Sequence, residues 1–314
     1  MGSPTEITGA PPVWLIAGPT ASGKSAVALD VARVTGGEIV DADSMQLYAD
    51  LRVLTARPTR AEEALAPHHL FGVADASEAW SVGRWQSAAL STLEAIAARG
   101  KPAIVVGGTG LYFRALTHGL AAIPPVPVST RGAVQAEYDS VGEARFRDRL
   151  AGVDPAAEAR IAAADRQRLT RAWEVFLATG RALSDWHALT QPPLAAGRWR
   201  GVVLTLPRAD LYARVEARLD RMAAGGALAE VEALLARGLD AGLPAMKALG
   251  VASFASQLAG RLTAAEALTA AKAETRRYAK RQIAWFSHQT ADWPRIDARE
   301  DAAAVGKILR ESPS

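Results

Sequence analysis

The sequence predicts an α/β fold: a parallel sheet core flanked by helices and interrupted by a small all-helical insertion. Three observations carry that prediction. The apolar run Val13-Trp14-Leu15-Ile16-Ala17 opens directly into Gly18-Pro19-Thr20-Ala21-Ser22-Gly23-Lys24-Ser25, and a helical pattern follows. Strand and helix patterns then alternate through the first third of the chain, which argues for parallel strands joined by helical crossovers. Two proline-rich segments, Pro124-Pro125-Val126-Pro127 and Gln191-Pro192-Pro193, bracket a stretch whose patterning is helical throughout.

The elements follow in order. Val13–Ala17 is a buried strand, and the helix after it runs through Ala26–Ala32. Glu38-Ile39-Val40-Asp41 is a second strand. A helix from Arg84 to Arg99 stops at Gly100. Pro102–Val106 forms a third strand, running into Gly107-Gly108-Thr109-Gly110 and a helix around Leu111-Tyr112-Phe113. Between the proline segments helices are expected over 134–138, 143–150, 155–163 and 165–179, the last stopped by Gly180. Gly201–Leu206 is a short apolar run of the kind that lies inside a sheet. From Pro207 to His288 the chain is rich in alanine and mostly helical. The economical division is a core of residues 1–125 and 199–314 around an insertion of residues 126–198.

Composition narrows the class. The chain has 314 residues, 49% hydrophobic and 22% charged. No segment reaches the roughly 18 consecutive apolar residues of a membrane helix, and the first dozen residues carry neither the basic start nor the apolar stretch of a secretory signal. Cysteine is absent, which excludes disulfides, thiol catalysis and cysteine-ligated zinc and fits a reducing compartment. A cytoplasmic protein is expected. Net charge is only +3, so distribution matters more than excess. Arg166, Arg168 and Arg171 form one basic cluster, and Arg276, Arg277, Lys280 and Arg281 a second. On spacing alone each is either a solvated helix face or a nucleic-acid contact.

Gly18–Ser25 fits the G-x-x-x-x-G-K-[ST] phosphate-binding loop in its required context, strand before and helix after. The core is therefore expected to be P-loop NTPase-like. Its glycines let backbone N–H groups curl around a polyphosphate; the helix N-terminus adds partial positive charge and Lys24 a full one. The Ser25 hydroxyl can sit on Mg²⁺. Such a loop serves ATP as well as other phosphates. ATP-hydrolysing members usually end a second apolar strand in an acid that holds the Mg²⁺ shell. Here the third strand ends in Gly-Gly-Thr-Gly, which favours a transferase. Asp43, just past the second strand, stands beside the expected phosphate. It suits taking a proton from a nucleophile or stabilising a cationic carbon, or else it caps the turn that follows. His68 and His69, adjacent and pointing apart, are expected to serve packing or loop hydrogen bonding.

These residues converge on a family. The loop, Asp43-Ser44-Met45-Gln46-Leu47-Tyr48, Pro67-His68-His69-Leu70, Gly107-Gly108-Thr109-Gly110-Leu111-Tyr112, Gln167-Arg168-Leu169-Thr170-Arg171-Ala172-Trp173-Glu174 and Tyr278-Ala279-Lys280-Arg281-Gln282 occur in this order. Together they resemble the tRNA dimethylallyltransferases, also called tRNA isopentenyltransferases, of the bacterial type. The resemblance runs from about Val13 to about Asp297. Leu54-Thr55-Ala56-Arg57-Pro58 departs from the family's usual Gly-Thr-Ala-Lys-Pro, keeping the charge and losing the glycine.

The resemblance implies transfer of a dimethylallyl group from dimethylallyl diphosphate to the exocyclic N6 of the adenosine 3′-adjacent to the anticodon (position 37), in tRNAs reading codons that begin with U. It implies Asp43 as the base, with Thr20 and Arg218 also catalytic, while Arg214 and Arg221 share the Arg218 helix. Gly18, Pro19, Thr20, Ala21, Ser22, Gly23, Lys24 and Ser25 would hold the diphosphate, and Ser25 the Mg²⁺. The tRNA would be met by Asp43, Ser44, Met45, Gln46, Thr109, Arg131, Gln167, Arg168, Leu169, Thr170, Arg171, Lys280 and Arg281. Its partners would be the anticodon stem-loop and the prenyl donor, with no membrane, and the chain is expected to be a monomer.

Overall fold

The central strands of the sheet are nearly unbroken apolar runs because they are covered on both faces, as parallel sheets require. The computed structural model describes residues 12–299 and residue 305. The opening segment, in which no secretory signal is expected, lies largely outside them. In chain order the elements are β1 Val13–Ala17, α1 Lys24–Thr35, β2 Glu38–Asp41, α2 Arg60–Glu63, β3 His68–His69, α3 Val82–Ala98, β4 Ala103–Gly107 and α4 Gly110–His118. Then come α5 Val128–Ala151, α6 Pro155–Arg160, α7 Arg166–Thr179, α8 Leu183–Ala188 and β5 Trp199–Thr205. The chain continues through α9 Arg208–Ala224, α10 Ala227–Ala236, a 3₁₀ turn at Ala245–Lys247, α11 Val251–Leu258, α12 Ala264–Gln289 and β6 Arg295–Asp297.

The strands pair in the order β3-β2-β4-β1-β5-β6, every pair parallel. Alternate side chains divide between two cores, as a period of two demands. Trp14, Ile16, Ile39, Ile104, Val202 and Leu204 pack on one face with Val27, Ala28, Val31 and Ala32 of α1. Val13, Leu15, Val40, Val105 and Val203 face the other, where Trp85 of α3, Phe113 of α4 and Phe254 and Phe286 of α11 and α12 cover them. The carboxyl ends of β1, β2 and β4 thus rise together at one rim of the sheet, where ligands of such sheets bind.

The described chain separates into two compact units, residues up to Thr117 with those from Leu194 onward, and His118–Pro193. The boundaries expected from the sequence, 125/126 and 198/199, lie eight and five residues after these. The second unit is wholly helical among its described residues. Val134, Phe146, Leu150, Ala157, Leu169 and Ala172 form its core, with Tyr138 and Trp173 against it. The two helices expected over 134–150 are one element, α5, bent at Gly142 (φ 74°, ψ 167°) and starting earlier, at Val128 behind Pro127. Gly180 ends α7 in the left-handed conformation, its N–H donating to Phe176 O at 2.8 Å. The helix expected over 155–163 stops at Arg160, and α8 follows where none was expected. Buried Asp154 explains both short helices: it accepts from Ala157 N at 2.9 Å and from Ser184 N at 3.0 Å, tying α6 to α8.

His68 and His69 form the short edge strand β3 rather than a loop. His69 Nε2 lies 2.6 Å from the Glu38 carboxylate, which Arg99 also holds, so the pair serves packing and hydrogen bonding as expected. Among the described residues no His, Cys, Asp and Glu cluster could hold a metal, and no helix is long and apolar enough to cross a membrane.

Candidate active site

The loop between β1 and α1 curls through two non-standard backbone positions. Ala21 (φ 64°) and Gly23 (φ 96°) both sit in the left-handed region, where glycine is unstrained and alanine is not. Pro19 O accepts from Ser22 N at 3.2 Å and from Lys24 Nζ at 3.4 Å. Ser22 is fully buried with its Oγ unpartnered, so it contributes backbone rather than side chain. Ser25 stands in the first turn of α1, whose leading N–H groups have no acceptor within the helix.

A cleft of about 710 Å³ opens over this loop. Thr20, Lys24 and Ser25 of the loop line it together with Asp43 and Gln46 from beyond β2 and Arg214, Arg218 and Arg221 of α9. With Arg52 and Arg57 it is lined by six cationic side chains against the two acids Asp43 and Glu62. That excess fits a multiply charged anion. Arg218 donates to Thr20 Oγ1 at 3.3 Å and to Thr55 O at 3.2 Å, while Arg214 reaches Ser22 O at 3.4 Å. Arg214, Arg218 and Arg221 all line the cleft, while Arg208 at the start of α9 donates to Tyr212 instead. Burial, and secondarily Arg218, pushes Lys24 down to about 8 even though Asp43 and Asp41 act to raise it. Val53, Ala56, Ala217 and Met222 give the cleft an apolar portion.

The wall that carries Val53 and Ala56 is fixed from below. Glu230 of α10 accepts from three successive backbone amides, Arg52, Val53 and Leu54, at 2.5, 2.8 and 2.8 Å. Gln46 donates its amide to Thr55 O and Ala56 O at 2.8 and 3.1 Å. Arg57 donates to Tyr48 O and packs over Gly72, where a Cβ would come within 2.1 Å of its guanidinium.

Beyond the end of β2, Asp43 Oδ1 accepts from Met45 N at 3.0 Å, so the carboxylate also fastens the turn after it. Thr109 stands opposite: its Oγ1 accepts from Ser44 N at 3.0 Å, and its own N–H donates to Ala42 O at 3.1 Å. Gly107-Gly108-Thr109-Gly110 is a packing device. A Cβ on Gly107 would lie 2.0 Å from Ala42 O, one on Gly108 2.2 Å from Gln282 Nε2, and one on Gly110 2.2 Å from Trp285. Gln282 is the residue to which motif reading assigns no role. From α12 it accepts from Thr20 N at 2.8 Å and donates to Gly108 O at 2.8 Å, joining the loop after β1 to the end of β4. Burial, and then the charge of Asp43, raises the phenol of Tyr278, one turn earlier. Gln282→Ala leaves two backbone groups without partners, each costing about 1–3 kcal/mol when buried. The expected result is a destabilised protein with a weakened affinity for pyrophosphate, read by thermal melts with and without that ligand.

Lys280 and Arg281 are exposed on the same helix, Arg281 lying over the Tyr278 ring. In the helical unit, Arg131, Gln167, Thr170 and Arg171 line a polar hollow of about 570 Å³ together with Gln135, Arg166 and Glu174. Arg168 lies outside it, exposed and paired with Asp165. Leu169 is fully buried and Thr170 nearly so, so the polar reach of this segment belongs to Gln167, Arg168 and Arg171. In the phosphate loop, the lone Ser25 hydroxyl suits a cation carried mainly by phosphate oxygens and water, since Mg²⁺ takes few protein ligands.

A sequence profile described as IPP transferase matches residues 46–289, and one described as isopentenyl transferase matches residues 11–66. The chain is 58% identical to the tRNA dimethylallyltransferase of Phenylobacterium zucineum, covering 96% of this chain and 98% of that one. It is 60% identical to the enzyme of the same name from Caulobacter sp. strain K31, with 96% of each covered. Among solved structures, the tRNA isopentenylpyrophosphate transferase of Bacillus halodurans superposes with a TM-score of 0.69 at 30% identity over 95% of both chains. A eukaryotic dimethylallyltransferase captured acting on tRNA superposes at 0.80 with 25% identity, covering 95% of this chain and 78% of that one.

Proposed function

The chain belongs to the tRNA dimethylallyltransferase family, and from that premise we propose how its cleft carries out the transfer. The donor is dimethylallyl diphosphate and the acceptor N6 of the adenosine 3′-adjacent to the anticodon. N6 attacks the terminal carbon of the dimethylallyl group, the carbon–oxygen bond breaks, and diphosphate leaves with the bonding pair. Asp43 takes the N6 proton. Adenine N6 is a weak nucleophile because its lone pair is shared with the ring, so removing that proton during attack lowers the barrier.

The single observation that carries this reading is the cleft itself, where Asp43 shares walls with Lys24, Ser25, Thr20 and Arg218. Diphosphate is gripped by the loop backbone of Gly18–Ser25, Lys24 and the α9 arginines, with Thr20 steered by Arg218. Ser25 and diphosphate oxygens would hold Mg²⁺, which when bound offsets charge on the leaving group. Val53, Ala56, Ala217 and Met222 suit the apolar prenyl tail. The target base must leave its stack to reach a buried donor; Asp43, Ser44, Met45, Gln46 and Thr109 border the place where it would enter. The rest of the stem-loop is held by Arg131, Gln167, Arg168, Arg171, Lys280 and Arg281, and the enzyme works as a monomer where tRNA is, in the cytoplasm.

Incubation with dimethylallyl diphosphate and bulk tRNA, followed by mass analysis of the nucleosides, tests the reaction. A five-carbon addition on that adenosine is expected; phosphate transfer from ATP in its place would refute the assignment. The stem-loop residues have their own test. Reversing charge at Arg168 and Arg171 should weaken tRNA binding and lower the salt dependence by about 0.7–0.9 in log–log slope for each phosphate no longer neutralised. Binding titrations across a salt series check this, and an unchanged slope returns both arginines to a solvated helix face.

A further inference from the structure

Two residues before the base stands a carboxyl that the mechanism above does not use. Asp41 ends β2 and is fully buried. Its Oδ1 accepts the backbone N–H of Asp43 at 2.9 Å, and its Oδ2 has no hydrogen-bond partner among the described residues. No cationic side chain among the described residues lies within ion-pair distance of it. A buried carboxylate oxygen with neither a donor nor a counter-charge would cost several kcal/mol, and in practice such a group takes up a proton instead.

Resting on the assignment of Asp43 as the base, we propose that Asp41 is a positioning residue held as a neutral carboxylic acid, fixing the Asp43 backbone through Oδ1 while adding no charge to the cleft. The backbone on either side is pinned to match. Ala42 N donates to Val106 O at 2.8 Å, Ala42 O accepts from Thr109 N, and Gly107 leaves no room for Ala42 to shift. Trp85 of α3 donates its indole N–H to Asp41 O at 2.9 Å. With Asp41 hydrogen-bonded to its amide, Asp43 is located by the sheet and by α3 rather than by a free loop.

The groups around the carboxyl favour the same state. Burial raises Asp41 well above the usual carboxylate range, and the charge of Asp43 raises it further. The Asp43 amide, Lys24 of α1 and Arg57 of the cleft wall act the other way, and the un-ionised phenol of Tyr112 on α4 faces it as well. Neutrality has a chemical use. A second negative charge beside Asp43 would repel the departing diphosphate and compete for Lys24, which that diphosphate needs.

Infrared difference spectra of wild-type enzyme and Asp41→Asn at neutral pH read the protonation state directly. The expected result is the carbonyl stretch of a protonated carboxylic acid in the wild type, lost in Asp41→Asn. Kinetics read the positioning. Asp41→Ala removes the acceptor for the Asp43 N–H and should lower kcat about tenfold to a hundredfold with KM for both substrates little changed. Asp41→Asn, which keeps a neutral oxygen acceptor, should recover most of that loss. Absence of the acid band, or an Asp41→Asn variant as impaired as Asp41→Ala with its fold intact, overturns the proposal. Should Asp43 fail as the base, Asp43→Asn would stay active while the Asp41 band persisted, so the two failures are distinguishable.

Discussion

Asp43→Asn should lower kcat at least a hundredfold while leaving the affinities for pyrophosphate and tRNA close to those of the parent enzyme. The choice of Asn follows from geometry. Asp43 has a structural duty besides the chemical one proposed for it, since its Oδ1 receives the Met45 N–H. Alanine would remove the turn and the base together, and a loss of activity could then be charged to either. Asparagine keeps an oxygen acceptor for Met45 and cannot accept the N6 proton. A positioned general base contributes about a hundredfold to ten-thousandfold, so the variant isolates that factor. Arg218 and Lys24, whose charges interact with that of Asp43, keep their place in the cleft. Single-turnover rates with saturating donor and tRNA make the measurement, since they separate the chemical step from product release. A variant with unaltered single-turnover rate would leave the carboxylate as a turn cap, and the proton would have to leave by another route.

What the sequence made legible was the rim of the sheet, and physics explains the limit. Val13–Ala17, Glu38–Asp41 and Ala103–Gly107 read clearly because strands buried on both faces leave few polar positions to blur the run. The flanking strands escape notice for the opposite reason. β3 is two histidines, and β6 is Arg-Ile-Asp with only Ile296 fully inside. Motif reading locates the phosphate loop and Asp43 from local spacing alone. It cannot find the work of Gln282, which bridges Thr20 and Gly108, 262 and 174 positions away in the chain. Its signal is present only indirectly, in a Gly-Gly-Thr-Gly segment with more glycine than a phosphate site needs. Helical phase decides the rest: the QRLTR segment reads as one tRNA-gripping stretch, yet its apolar Leu169 belongs to the core of the helical unit. Arg214, Arg218 and Arg221 of α9 are equivalent on paper, and only the fold shows that all three line the cleft.

Lys24→Met should abolish measurable pyrophosphate binding and reduce kcat by roughly a hundredfold to a thousandfold, the usual cost of deleting one preorganised group at a site of developing charge. The ligand-free lysine is in an unfavourable place. Its Nζ reaches Pro19 O at a long 3.4 Å, and burial with the nearby Arg218 brings it down to about 8. A diphosphate replaces that poor setting with two or more anionic oxygens, which favours the ammonium and raises its pKa again. The sign of the linkage follows. Between the ligand-free value near 8 and the higher ligand-bound value, the complex holds a proton that the free enzyme has lost. Binding in that window therefore takes up a proton, and affinity falls as pH rises through it. The donor does not supply this signal, because a phosphate's last ionisation lies near pH 6. Calorimetric titration of dimethylallyl diphosphate at about pH 9, roughly one unit above the ligand-free value of about 8, in buffers of differing ionisation enthalpy, counts the protons. Close to one proton should enter with each ligand in the wild type. Titrations without buffer dependence would mean that Lys24 is already charged in the empty loop, and that its ammonium is held by the fold rather than by the leaving group.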